Sequence, residues 1–73
     1  MGSQEDDAMS RQVVQQYIGQ NVVFMYDGKQ REVNAELLKD TNAGAVLLVG
    51  RDAVRNHQYR SFDITKITGL RLA

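Results

Sequence analysis

Seventy-three residues make one small domain, and a chain of this length buries only about 60% of the surface its unfolded form exposes, so its stability is marginal without reinforcement. The absence of cysteine rules out disulfides and thiolate metal sites, and no stretch approaches the roughly 18 apolar residues of a membrane span or shows a basic-then-apolar leader, so a cytoplasmic protein with no membrane partner is expected. Nine Lys and Arg balance nine Asp and Glu, which argues against a general nucleic-acid coat.

The balance is uneven along the chain. Glu5, Asp6 and Asp7 make residues 1–8 an acidic arm, expected to be disordered, ahead of a single domain over 9–73. From Arg51 onward, Arg51, Arg55, Arg60, Lys66 and Arg71 face only Asp52 and Asp63, so the basic excess sits in the C-terminal third.

Met9, Val13, Val14, Tyr17 and Ile18 recur at helical spacing and predict a short amphipathic helix from about Met9 to Ile18. Asp7 or Ser10 is placed to cap its start, and Gly19 to take the left-handed position after its end. From Asn21 the period changes to two. Val22, Phe24 and Tyr26 alternate with Val23 and Met25, predicting a strand apolar on both faces, and Asp27-Gly28 is a hairpin turn. A return strand follows from about Gln30 to Leu38, and the run Asp40 to Gly44 makes a second turn. Ala45 to Val49 is a short β-branched run ending at Gly50 and reads as a third strand, with Arg51 to His57 as a loop or long hairpin tip. Gln58 to Phe62 is a fourth strand, a helical turn is expected near Asp63 to Lys66, and Leu70 to Leu72 closes as a fifth. A short helix capping five strongly bent antiparallel strands is the layout of an Sm-like or SH3-like barrel. Its expected core is Val22, Phe24, Val33, Leu37, Leu47, Val49, Phe62, Ile67 and Leu70.

Several short motifs coincide in this frame. Tyr26 ends the first strand, Gly28 and Arg31 follow in the hairpin, Asp52 follows the third strand, and Arg60-x-Phe62 precedes Lys66-Ile67. Over residues 20 to 72 the chain resembles the WYL domain, a small Sm-like barrel of bacterial and phage regulators. The Trp-Tyr-Leu run that names the family falls on Val46-Leu47-Leu48, keeping only the Leu, and Ala35 stands where a Pro is common. The resemblance implies a regulatory module whose basic surface binds nucleotides or single-stranded nucleic acid. Full regulators of this kind add a helix-turn-helix, for which 73 residues leave no room, so a stand-alone accessory protein or an excised domain is expected.

Catalysis finds little support in the residues. The one histidine, His57, has basic neighbours rather than a nucleophile, the acids lack metal-ligand spacing, and no glycine-rich phosphate loop is present. Binding without turnover and without a cofactor is therefore expected. The candidate site is an anion-binding loop made of Arg51, Arg55, His57, Tyr59 and Arg60, with Arg31 from the neighbouring hairpin. Guanidinium groups grip phosphate bidentately, and a tyrosine offers a face for an unpaired base. Two other readings compete: an Sm-like RNA-binding ring protein, and a protein-interaction module working through an exposed strand edge. The doubly apolar first strand predicts self-association, a dimer first and a ring second.

Overall fold

The computed structural model describes residues 10–73, so the expected acidic arm and the Met9 start of the helix lie outside it. Ser10 caps helix α1 (Arg11–Gln15), its hydroxyl accepting the Val13 amide at 3.2 Å. The helix is shorter than its apolar stripe predicts. After Gln15 the amides of Gln16, Tyr17 and Ile18 reach back three residues, to Val13, Val14 and Gln15, so the backbone tightens into turns. Gly19 then takes φ +92°, and its amide donates to the Ala35 carbonyl at 2.7 Å, docking the segment on the sheet. Val14 is fully buried, while Tyr17 and Ile18 pack against the core from above.

The rest is mainly β, as the periodicity predicts. Five antiparallel strands, β1 (Asn21–Tyr26), β2 (Lys29–Asp40), β3 (Val46–Asp52), β4 (Tyr59–Asp63) and β5 (Thr68–Leu72), form one sheet in the order β4-β3-β2-β1-β5. A 3-10 turn at Ile64–Lys66 links β4 to β5. The sheet stays open: no ladder joins β4 to β5, so the expected barrel is not closed by pairing. Asp27 (φ +51°) and Gly28 (φ +77°) both lie in the left-handed region, the two-residue turn whose twist matches its strands. That turn sets the register Tyr26↔Lys29, Phe24↔Arg31 and Val22↔Val33, which puts Arg31 on the core face.

The strand boundaries depart from expectation at Gly50. Rather than ending β3, Gly50 pairs with Ala35 on one side and Arg60 on the other, and the strand runs on through Arg51 and Asp52. A Cβ at this position would run into the Asn34 carbonyl oxygen and lie 2.7 Å from Val33 Cγ1. The glycine is therefore a point of close backbone approach within a strand.

The core forms from Val14, Val22, Phe24, Val33, Ala35, Leu48, Phe62, Ile64 and Ile67. Phe24, Tyr26 and Phe62 meet edge to face at 5.0 to 6.4 Å between ring centres, each pair worth about 0.5–1.5 kcal/mol beyond burial. Four expected core residues fall elsewhere. The β2–β3 register shifts between Ala35 and Leu37, leaving Glu36 as an extra residue, and this bulge reverses the facing of the β2 residues beyond it. Leu38 and its partner Leu48 turn inward, so Leu37 is 46% exposed, and Leu47 and Val49 are only half-buried. Leu70 is half-buried at the margin. On the outer face of β1, Val23 is buried within the chain and Met25 is 38% exposed, so only part of the apolar face from which self-association is expected lies open.

Candidate functional site

The basic loop is shorter and more ordered than its composition suggests. It spans residues 53–58, because Arg51 and Asp52 belong to β3 and Tyr59 opens β4. Asp52 is buried, and its Oδ1 accepts the amides of Val54 at 2.8 Å and Arg55 at 3.0 Å, turning the chain sharply. The Ala53 amide donates to the Glu32 carbonyl at 2.9 Å, tying the loop to β2. Arg55 to Gln58 then form a tight turn, closed by the Gln58 amide on the Arg55 carbonyl at 3.3 Å. Its central residues, Asn56 and His57, take φ of +56° and +54°. Asn and His are among the side chains that tolerate this backbone best. Arg55 and His57 are thereby held exposed at a defined hairpin tip.

The expected site residues divide between the two faces of the sheet. Arg51 and Tyr59 are cross-strand partners on the face away from the core. Arg51 Nε donates to Glu36 Oε2 at 3.1 Å and its Nη2 to the Tyr59 hydroxyl at 3.1 Å, while that hydroxyl donates to Glu36 Oε1 at 2.9 Å. The guanidinium also lies 4.5 Å from the Tyr59 ring centre. Its bond to the tyrosine, and then to Glu36, raises an already high pKa, so the charge is permanent but paired.

Arg31, Arg55 and Arg60 gather at the other side, around Asp52. Arg31 lies 5.9 Å over the Phe62 ring, half-buried, with Nε buried and without a hydrogen-bond partner among the described residues. Arg60 sits opposite Gly50, on the side of Phe62, and bonds to Gln58 Oε1 at 3.4 Å. Both guanidiniums stabilise the ionised Asp52, whose pKa is lowered first by the Val54 amide, then by the Arg55 amide, and further by Arg60 and Arg31. Among the described residues none of Arg31, Arg55 and Arg60 makes a direct ion pair. The ladder between β2 and β3 ends at Val33↔Asp52, so the start of β2 outruns its neighbour. The gap is a hollow of about 140 Å³ bordered by Lys29, Arg31, Glu32, Asp52 and Arg55. The Glu32 carboxylate is engaged by the Asn21 amide group at 2.9 Å.

The structure thus places Arg31 and Arg55 at the border of one hollow, with Arg60 acting on Asp52 and His57 in the hairpin tip, and sets Arg51 and Tyr59 apart on the other face. Lys29, the ordering role of Asp52 and the Glu36 anchor escape sequence reasoning. Lys29 was within reach of it, since the two-residue turn at Asp27-Gly28 puts it two residues from Arg31 on the same face of the strand. A larger hollow of about 340 Å³ lies between α1 and β2, lined by Arg11, Gln15, Ile18, Glu36, Leu37 and Leu38, and holds no cluster of cations. Among the described residues no group of three or more His, Cys, Asp or Glu side chains is placed to hold a metal ion, and no helix is long and apolar enough to cross a membrane. No protein-family model matches the chain, and comparisons with curated proteins and with solved structures return no match.

Proposed function

We propose that this protein is a small regulatory binding module that recognises a phosphate-bearing ligand, single-stranded nucleic acid or a nucleotide, and acts in the cytoplasm by binding rather than turnover. The observation that carries this reading is the gathering of Lys29, Arg31 and Arg55 around one hollow, with Arg60 acting on Asp52 beside it and none of the three arginines in a direct ion pair among the described residues. Lys29, Arg31 and Arg55 outnumber the Asp52 and Glu32 carboxylates at the hollow, so a positive excess remains there, and guanidinium groups suit the oxygens of phosphate. The WYL resemblance in Arg31, Arg60-x-Phe62 and Lys66-Ile67 supports the same reading. Fluorescence anisotropy with a labelled single strand tests it. Micromolar binding that weakens with salt, at a slope of about −0.7 per phosphate contact, is expected. No binding to oligonucleotide or nucleotide at low salt overturns it.

A second reading, a protein-interaction and self-association module, rests on the other face. Leu37, Leu47 and Val49 stand there outside the core, and among the described residues β4 and β5 leave two unpaired edges. A homodimer is the expected assembly. Sedimentation at about 100 µM, where even micromolar dimers form, decides it, and a monomer there removes it.

A further inference from the structure

We infer that the hollow takes a terminal phosphomonoester, the phosphate at the end of a strand or on a mononucleotide, in preference to the internal phosphodiesters of a strand. This rests on the phosphate-binding reading above and narrows it. The first argument is layout. A site that follows a nucleic-acid backbone needs a track of cations and stacking surfaces along one face. Here the two side chains that would extend such a track, Arg51 and Tyr59, lie on the opposite face. Arg51 is bonded to Glu36 and covers the Tyr59 ring, so the pair is already occupied. What remains is a single focus at Lys29, Arg31 and Arg55, with Arg60 acting on the same carboxylate from β4.

Size and charge agree with this. At about 140 Å³ the hollow has room for a phosphate group. An internal phosphodiester brings one negative charge, whereas a terminal phosphate carries about −1.5 to −2 at neutral pH and one more unesterified oxygen. Lys29, Arg31 and Arg55 at the border, with Arg60 acting from β4, outnumber the Asp52 and Glu32 carboxylates, and the extra unesterified oxygen of a terminal phosphate gives these donors one more acceptor. Asp52 stays ionised beside the hollow, and the amides of Val54 and Arg55 on its Oδ1 offset part of its charge. Those bonds also hold Arg55 at the rim.

The test compares short single strands of one sequence, with the label at the opposite end, carrying either a phosphate or a hydroxyl at the 5′ or the 3′ terminus. The phosphorylated end is expected to bind about tenfold more tightly, and Lys29→Ala and Arg55→Ala are expected to erase that difference. Both are exposed residues, so the variants are expected to fold, which a circular dichroism spectrum checks. Competition by a nucleoside monophosphate, or by inorganic phosphate, at the phosphorylated strand's site supports the inference and separates a nucleotide from a strand end as the source. Equal binding of phosphate and hydroxyl ends overturns it while leaving the nucleic-acid reading in place. Failure of every probe to bind removes both.

Discussion

Arg51 and Tyr59 face each other across β3 and β4 with the guanidinium carbon 4.5 Å from the ring centre, and Glu36 accepts a hydrogen bond from each. Two side chains that the sequence marks for ligand contact are therefore partners of one another. Arg51→Ala is expected to leave oligonucleotide affinity within a factor of about two, since an exposed paired charge far from the hollow adds little to binding. Arg31→Ala and Arg55→Ala are expected to lower it. Anisotropy titrations of the three variants check this, and a loss confined to the Arg51 variant would place the ligand on the wrong face for this account.

The inward facing of β3 is open to a direct stability test. Leu48 is fully buried opposite Phe62, so Leu48→Ala is expected to cost about 2–5 kcal/mol. Leu37→Ala, at a position 46% exposed, is expected to cost less than about 1 kcal/mol. Urea unfolding of both variants measures the contrast, and the reverse order would mean that the bulge at Glu36 is absent.

Gly50→Ala probes the close approach of β2 and β3. The added methyl meets the Asn34 carbonyl, which is backbone and cannot rotate away, and the expected cost is about 1–3 kcal/mol in urea unfolding. A neutral substitution would show that the strands are further apart at this point.

Acid stability follows from Asp52 and Asp63. Asp52 is held below its ordinary value of 3.8 chiefly by the Val54 amide, and Asp63 by the hydroxyl and amide of Thr65. A carboxylate whose folded pKa is depressed stabilises the fold fully above the unfolded value and loses that contribution as pH falls through the depressed one. The urea midpoint is thus expected to fall as the solution is acidified below about pH 4, with a shallower fall in Asp52→Asn. An unchanged slope in that variant would mean that the ionised Asp52 is not bonded to the loop amides in solution.

How far the sequence reveals this molecule depends on which cue governs each element. The Asp27-Gly28 turn fixes β1 against β2 by local chemistry alone, so Val22, Phe24 and Val33 are legible as core and Arg31 as their neighbour in phase. The run Val46 to Val49 has no such cue. It is apolar on both faces, so alternation cannot say which residues turn inward, and the bulge at Glu36 decides in favour of Leu48. The same limit applies to the site. Proximity in sequence groups Arg51 with Arg55 and Arg60, but strand alternation sends Arg51 and Tyr59 to one face and Arg60 with Phe62 to the other. Once β3 is known to run through Asp52 rather than to stop at Val49, that division comes from the period of two.

The most direct measurement is amide chemical-shift mapping by NMR during titration with a 5′-phosphorylated single strand at low salt. The account predicts shifts concentrated at Lys29 to Glu32 and Asp52 to Arg55, with the Glu36, Leu37 and Val49 amides unmoved. Shifts centred on Glu36, Val49 and Tyr59, or none anywhere, would contradict it.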